Sequence, residues 1–272
     1  MPGWLWLAMI VIAFLFLVHP NFNRRKIRMW QGRQFAHRGL HDAAQSIIEN
    51  TLPAFERACE AGYGIELDIQ LSKDLQVIVF HDDNLMRMCG DARKVSQLTL
   101  AELRTVKLPG TQARIPTLEE ALECVKGRIP LLIELKSGLK NKQLCCALME
   151  IMAGYHGEYM VESFNPLIVG WFRRNAPQVV RGQLVSPMRE YIPLVDPISA
   201  FCMSGLLFNF IARPDFVAYD ANAPRFFSPH FQRFMFRTPM AGWTIKTEKM
   251  ATLIRRRREM CIFENIFPSR RK

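Results

Sequence analysis

Two carboxylates lie close together in a short apolar run of this chain. Glu66 and Asp68 are two residues apart within the segment 64–69, whose other members are glycine, leucine and isoleucines. Side chains alternate along a β-strand, so both carboxylates lie on one face and the apolar side chains on the other. Adjacent carboxylates repel each other unless a cation or a proton lies between them. The pair therefore predicts ligands for one hard divalent cation, Mg²⁺ or Ca²⁺.

Other ionisable residues follow the same design. His37 and Arg38 come directly after an apolar segment, and His81 follows the apolar run 77–80. In the run 131–136, Glu134 and Lys136 alternate with leucine and therefore share a face. A single strand carboxylate is usually a solvated edge residue, a single histidine at a strand end is usually structural, and the Glu134–Lys136 pair alone is compatible with an ordinary ion pair. Their joint occurrence at the ends of four strands favours catalysis, because active sites of α/β barrels lie at the carboxyl ends of strands.

Strand-like and helical patterns alternate over most of the chain, which predicts a parallel α/β sheet. Nine runs have strand composition: Gln34–Ala36, Gly64–Ile69, Val77–Phe80, Leu131–Leu135, Tyr159–Val161, Val179–Leu184, Phe216–Tyr219, Gly242–Ile245 and Cys261–Phe263. Helical patterns include Leu52–Ala61, Leu118–Val125, Gln143–Met152, Pro166–Arg173 and Met250–Arg257. The second and third strands are too close for an intervening helix. An eight-stranded barrel thus leaves one candidate outside it, which the sequence does not identify.

The amino terminus is strongly apolar. Every residue from Trp4 to Val18 is apolar, and the first charged side chain is Arg24. This pattern predicts one transmembrane helix, with a cleaved signal peptide or an interfacial helix as alternatives. The basic residues that follow would place the catalytic part on the cytoplasmic side of the cell membrane, or bind anionic lipid headgroups. The predicted division is an anchor at 1–23, a basic linker at 24–32, a catalytic barrel at 33–268 and a basic tail at 269–272.

Composition limits the classes of partner. The chain of 272 residues has a formal net charge of +11, which favours anionic partners. Its seven cysteines have neither zinc-site nor CxxC spacing, and this predicts reduced thiols in a reducing compartment. The run Arg255–Arg258 fits a solvated helix end, a membrane-surface patch or a nucleic-acid patch. Because no nucleic-acid-binding motif accompanies it, we expect no nucleic acid partner.

An ordered set of short motifs is more specific than these patterns. The set comprises His37-Arg38-Gly39, Glu49-Asn50-Thr51, Glu66-x-Asp68, His81-Asp82, Glu134-x-Lys136, Trp243-Thr244 and Ile262-Phe263-Glu264-Asn265-x-x-Pro268. It resembles the motif set of glycerophosphodiester phosphodiesterases and covers approximately residues 33–268. One departure is Phe263-Glu264-Asn265, where many members of that family have threonine-aspartate. The resemblance implies a TIM-type (β/α)8 barrel.

The resemblance also implies roles for individual residues. One divalent cation would be held by three carboxylates, two histidines would form the acid/base pair, two basic side chains would hold phosphate, and a tryptophan would form an apolar wall for the glycerol end. In that order these residues are Glu66, Asp68 and Glu134; His37 and His81; Arg38 and Lys136; and Trp243. Elementary chemistry agrees, because phosphodiester hydrolysis needs charge neutralisation, a deprotonated nucleophile and a protonated leaving group. Which histidine is the acid stays open.

The predicted activity is metal-dependent hydrolysis of glycerophosphodiesters to glycerol 3-phosphate and an alcohol. The predicted partners are a small phosphodiester or lysolipid substrate, and membrane lipid through the N-terminal helix and its basic flank. Three alternatives stay open: lysophospholipase D-like cleavage of a lysophospholipid headgroup, a non-catalytic membrane-bound sensor or scaffold for phosphate ligands, and a basic protein that tethers nucleic acid. Nothing in the sequence indicates the oligomeric state.

Overall fold

The computed structural model describes residues 2–108, 110–223 and 226–269, apart from the side chain of Ala43. Its strands are β1 (Gln34–Ala36), β2 (Gly64–Leu71), β3 (Val77–Val79), β4 (Leu131–Leu135), β5 (Tyr159–Ser163), β6 (Val180–Val185), β7 (Phe216–Asp220), β8 (Met240–Ile245) and β9 (Met260–Phe263). Every run predicted as a strand is a strand, with ends that differ by at most two residues.

Eight of these strands are parallel and close into a barrel. The hydrogen-bonded order is β1, β9, β8, β7, β6, β5, β4, β2, and pairing of β2 with β1 completes the circle. Strand β3 is the exception, because it pairs antiparallel with β2. A parallel crossover needs about a dozen residues, whereas residues 72–76 are sufficient only for a hairpin. The TIM-type barrel is confirmed, and the second strand of this hairpin is the candidate outside it.

One helix precedes the first strand, and the others lie in the connections between successive barrel strands. They are α1 (Gly3–Val18), α2 (Leu52–Ala61), α3 (Met86–Cys89), α4 (Leu100–Leu103), α5 (Leu118–Val125), α6 (Asn141–Met152), α7 (Pro166–Asn175), α8 (Met188–Tyr191), α9 (Pro197–Ser204), α10 (Asn209–Ala212), α11 (Phe227–Met235) and α12 (Glu248–Arg256). Local chemistry sets several of their ends. Thr117 and Glu120, for example, form a reciprocal capping box at the start of α5.

Apolar side chains pack in two layers that follow the strand alternation. On β4, Leu131 and Ile133 face outward and join the layer between sheet and helices, while Leu132 faces the barrel interior. Phe35 and Trp30 belong to the same interior cluster as Leu132. The next inward-facing position of β4 is Glu134. The barrel interior thus changes along each strand, from an apolar plug to ionisable groups at the carboxyl ends.

Helix α1 is too short to be the predicted membrane span. It has 16 residues and ends at His19, whose backbone is extended. At about 1.5 Å per residue its length is roughly 24 Å, below the roughly 30 Å of a bilayer core. Its last turn lies on the barrel, where the Val18 carbonyl accepts hydrogen bonds from Asn209 and Gln232. Within residues 2–108, 110–223 and 226–269, no helix combines the length and apolarity needed to cross a membrane.

The predicted transmembrane helix and single-pass location in the cell membrane are therefore wrong. The predicted cytoplasmic orientation was derived from that span and loses its basis. The sequence misled because residues 4–18 are apolar without interruption, whereas the length of the helix is set by the backbone turning extended before Pro20. The division into linker, barrel and tail stays a prediction, and tail residues 270–272 lie outside the described residues.

Candidate active site

Three buried carboxylates converge at the carboxyl end of the barrel. Glu66 and Asp68 point inward from β2, and Glu134 points inward from β4, directly opposite Asp68 in the parallel register. One oxygen of each lies within 4.8 Å of the others. All three side chains are almost fully shielded from solvent. Neighbouring parallel strands therefore bring together the three predicted metal ligands.

Burial disfavours the ionised forms of the carboxylates in this cluster. Burial, followed by the charge of Asp68, raises the pKa of Glu66 well above its ordinary value. Burial also raises the pKa of Glu134 to about 7. Burial acts in the same direction on Asp68, but Lys136, His81 and Arg38 outweigh it and lower the pKa of that carboxyl. The cluster thus holds more negative charge than its surroundings neutralise, which is the condition that a bound cation relieves.

Lys136 supplies part of the missing positive charge. Its Nζ lies 2.9 Å from Asp68 Oδ1 and 2.7 Å from Glu134 Oε1. Burial lowers the pKa of this ammonium, but the two carboxylates outweigh burial and raise it. The donor set of three carboxylates fits a hard divalent ion rather than zinc or copper, whose sites usually include histidine or cysteine.

Arg38 lies in a strained turn beside the carboxylates. Its φ is +56° and that of Gly39 is +81°. A Cβ on Gly39 would lie 2.9 Å from the Cβ of Ala54, so only glycine fits this turn. The Arg38 amide donates to Glu66 Oε2 at 2.8 Å, and its Nη1 donates to Glu49 at 2.7 Å. The buried Nε makes no hydrogen bond, but it forms an ion pair with Asp68 Oδ2 at 3.5 Å.

His37 is held by a carboxylate from the last strand. Glu264 Oε2 lies 3.0 Å from His37 Nδ1, and the other ring nitrogen lies 3.9 Å from Glu66 Oε2. Burial lowers the pKa of His37, although Glu264 acts in the opposite direction. The hydrogen bond with His37 is the largest cause that lowers the pKa of Glu264 to about 2. Glu264 thereby orients a largely neutral imidazole toward the carboxylate cluster.

His81 has the same kind of support from its neighbour in sequence. Its Nδ1 lies 2.6 Å from Asp82 Oδ1, and Arg87 Nε donates to the other oxygen of Asp82 at 2.6 Å. Burial lowers the pKa of His81 to about 4. Arg87 also donates two hydrogen bonds to Glu49, which links this support to that of Arg38. His81 is therefore neutral near pH 7, with Nε2 free to accept or pass on a proton.

Trp243 lies at the edge of the site rather than among the ionic groups. Its ring packs edge-on against Phe164, with 5.8 Å between ring centroids. Phe164 lines a cavity of about 620 Å³ whose lining also includes His81, Glu134 and Lys136. Trp243 thus packs behind a residue that lines this cavity, and an apolar wall formed by Trp243 itself stays a prediction.

The structure brings the predicted residues to one end of the barrel and adds residues that the sequence did not single out. Glu264 and Asp82 orient the histidines, Asn50 donates to Asp68 Oδ2 at 2.8 Å, and Glu162 lies opposite Glu134 in the register. Burial, then Glu134, raises the pKa of Glu162 well above its ordinary value. The sequence did contain one indication of these roles, because Glu264 and Asp82 follow strand-like runs as closely as the predicted histidines do.

This geometry agrees with the comparisons to known proteins. A family model described as the glycerophosphoryl diester phosphodiesterase family matches residues 37–233, more than half of the chain. The chain belongs to the glycerophosphoryl diester phosphodiesterase family. The matched region contains all of the predicted site residues except Trp243. Family membership confirms the resemblance read from the ordered motifs.

Curated relatives match part of this chain. Rat lysophospholipase D GDPD1 is 34% identical over 165 residues, which are 56% of this chain and 51% of that protein. A glycerophosphodiester phosphodiesterase from Caldanaerobacter subterraneus is 34% identical over 164 residues, 55% of this chain and 65% of that protein. This chain thus matches about half the length of the rat relative.

Solved structures support the fold over a longer part of the chain. A phosphodiesterase from Oleispira antarctica, in complex with sn-glycerol-3-phosphate, has a TM-score of 0.68 at 22% identity and covers 87% of this chain and 94% of its own. A glycerophosphodiester phosphodiesterase from Thermotoga maritima has a TM-score of 0.64 at 26% identity, with 85% and 93% covered. The barrel architecture is therefore shared across most of both chains.

Proposed function

We propose that this chain hydrolyses glycerophosphodiesters to glycerol 3-phosphate and an alcohol, with a divalent cation and two histidines at the barrel mouth. The observation that carries the proposal is the convergence of the Glu66–Asp68–Glu134 cluster with two carboxylate-supported histidines. Family membership supports the class of reaction. The solved neighbour that contains sn-glycerol-3-phosphate is consistent with the proposed product.

Binding of the phosphodiester requires neutralisation of its negative charge. Glu66, Asp68 and Glu134 would hold the cation, Mg²⁺ or Ca²⁺, which when bound supplies positive charge beside the phosphoryl oxygens. Lys136 already contacts two of these carboxylates, and the buried Nε of Arg38 makes no hydrogen bond. These two side chains would contact the phosphate oxygens and hold the diester against the cluster.

Proton transfer would be the task of the histidines. Each has Nδ1 beside a carboxylate, so Nδ1 carries the proton and Nε2 is the free base. Their lowered pKa values keep both rings ready to accept a proton near neutral pH. One imidazole would take a proton from the attacking water at Nε2. The other would first take up a proton from solvent at Nε2, a charged form that the bound anionic substrate favours, and would then deliver it to the leaving alkoxide.

The test is release of glycerol 3-phosphate from glycerophosphocholine, glycerophosphoethanolamine and glycerophosphoglycerol, with Mg²⁺, with Ca²⁺ and with chelator. We expect metal-dependent turnover that falls by at least about a hundredfold in His37→Asn and Glu66→Gln. His156→Asn is the matched control, because His156 is exposed and lies outside the site. Full activity in either site variant would contradict the assignment. Binding without turnover in the unaltered chain would favour the sensor alternative.

Cleavage of a lysophospholipid headgroup is the second candidate function. It breaks the same type of bond, and the observation that favours it is the apolar part of the cavity beside Lys136. The printed name of the rat relative, lysophospholipase D, is consistent with this candidate. Contact of α1 and its basic flank with lipid stays a prediction, which sedimentation with anionic vesicles would test.

A further inference from the structure

A second cavity lies at the amino ends of the barrel strands, at the other end of the barrel from the candidate active site. Its volume is about 820 Å³. Gln34 and Gly64, the first residues of β1 and β2, belong to its lining, as does Pro130 directly before β4. Four arginines also line this amino-end cavity: Arg28, Arg33, Arg255 and Arg258.

Closure of the barrel brings these arginines together from distant parts of the chain. Arg28 and Arg33 precede β1, whereas Arg255 lies near the end of α12 and Arg258 precedes β9. Pairing of β1 with β9 joins the two segments, and the Cys261 amide donates to the Arg33 carbonyl at 2.9 Å. Among the described residues, the lining contains no acidic side chain. The cavity therefore has a positive potential that favours an anion.

Two of the four guanidinium groups are held by carboxylates that lie outside the lining. Arg33 forms an ion pair with Glu158, and its guanidinium also lies over the Trp30 ring, 4.9 Å from the ring centroid. Arg255 Nη2 lies 3.2 Å from Glu248 Oε1. These contacts fix the positions of both guanidinium groups and offset their charges.

The other two guanidinium groups are uncompensated. The side chains of Arg28 and Arg258 form neither a hydrogen bond nor an ion pair with any residue that the structure describes. A phosphate monoester carries about 1.5 to 2 negative charges at pH 7, because its second pKa is about 6. A phosphodiester carries only about one. The charge left by Arg28 and Arg258 therefore matches a monoester better than a diester.

We propose that the amino-end cavity is a second binding site of this chain and that its ligand is a phosphate monoester. Guanidinium groups suit this ligand because their planar forks donate paired hydrogen bonds to phosphate oxygens. Two sources share the chemistry: a soluble phosphate ester, and the headgroup of phosphatidic acid in a lipid surface. The site does not depend on the proposed function.

An apolar layer separates this cavity from the catalytic groups. Phe35 and Leu132 are fully buried in the barrel interior. A Cβ on Gly64 would lie 2.6 Å from the Phe35 ring, so this ring closes the cavity at the start of β2. Glu66 lies beyond that layer on the same strand. The ligand of the amino-end cavity would thus bind apart from the substrate.

The test compares methyl phosphate with dimethyl phosphate, which differ by one methyl group and about one negative charge. Phosphorus NMR titration of the full chain at low ionic strength measures both affinities. We expect methyl phosphate to bind more tightly, and Arg28→Gln/Arg258→Gln to weaken its binding by about tenfold or more. The catalytic groups are unaltered in this variant, so the change between proteins reports the amino-end cavity.

Arg25→Gln/Arg256→Gln is the matched control. Arg25 and Arg256 are exposed and belong to the same two segments, but neither lines the amino-end cavity. The control removes the same net charge, and its affinity for methyl phosphate should stay within about twofold of the unaltered value. Thermal unfolding of both double variants shows whether each keeps its fold.

Vesicles distinguish the two sources of the ligand. Sedimentation would be compared between vesicles that contain phosphatidic acid, a monoester, and vesicles with the same fraction of phosphatidylglycerol, a diester. A preference for phosphatidic acid that only Arg28→Gln/Arg258→Gln loses would support the site with a lipid headgroup as its ligand. Binding of methyl phosphate without that preference would support the site with a soluble ester.

Two results would overturn the inference. Equal weakening of methyl phosphate binding in the control and in Arg28→Gln/Arg258→Gln would show that net charge alone attracts the anion. Equal affinities for methyl phosphate and dimethyl phosphate would refute a monoester site. Both results would leave the proposed hydrolysis at the opposite end of the barrel intact.

Discussion

Replacement of Glu264 is the sharpest test of how the site orients its histidines. Glu264 follows β9, and its Oε2 lies 3.0 Å from His37 Nδ1. It contacts none of the three proposed metal-ligand carboxylates in the described hydrogen bonds. Its role would therefore be to position His37, and its replacement should lower kcat while KM changes little.

The expected magnitude follows from the type of hydrogen bond. Burial keeps His37 largely neutral near pH 7, so the contact there joins an imidazole N–H to a carboxylate. Such a charge-assisted bond contributes about 1.5–3 kcal/mol, and a neutral one about 0.5–1.5 kcal/mol. Glu264→Gln keeps a neutral acceptor, so kcat should fall about five- to tenfold. Glu264→Ala removes the acceptor, and kcat should fall roughly 10- to 150-fold.

The assay is steady-state release of glycerol 3-phosphate at saturating metal, with Glu119→Gln as control. Glu119 is exposed on α5 and lies outside the site. Thermal unfolding of each variant separates loss of the fold from loss of positioning. If both Glu264 variants keep kcat within about twofold of the unaltered value, then either His37 is not held by Glu264 or it is not part of the reaction.

Two further predictions concern the cation and the backbone. Burial raises the pKa of Glu134 to about 7, so a proton competes with the metal ion for this carboxylate at lower pH. The measured metal affinity should therefore weaken by up to about tenfold per pH unit below that value. A metal affinity that does not change between about pH 8 and pH 6 would contradict this prediction. Gly39→Ala should lower the free energy of unfolding by about 2–4 kcal/mol in denaturant titrations, since a Cβ there meets Ala54 at φ +81°. Gly138→Ala, where nothing lies within 4 Å, is its control.

Much of the barrel was predictable because each strand is a short apolar run that can be identified from local sequence alone. The bounds of β1, β4, α2 and α5 agree with the prediction to the residue. Strand alternation alone indicates that Glu66 and Asp68 share a face. Their convergence with Glu134 needs only the pairing of β2 with β4, which the lack of a helix between β2 and β3 makes natural.

The partners of the histidines required knowledge of how the barrel closes. Glu264 reaches His37 because β9 pairs with β1, which joins residues more than two hundred positions apart in the chain. No local pattern contains that pairing. Glu264 even stood out as a departure from the family motif, so sequence comparison alone pointed away from its role.

The sequence did not predict the length of the N-terminal helix or the residues that line the active-site cavity, and both failures have the same cause. Apolar composition indicates that side chains of a segment avoid water. It does not indicate where the backbone ends a helix, or which surface the segment packs against. Residues 4–18 are all apolar and residues 192–203 are mostly apolar. The first segment nevertheless forms a short helix packed on the barrel, whereas residues of the second line the cavity. Only the tertiary contacts of Val18 and Met203 distinguish the two.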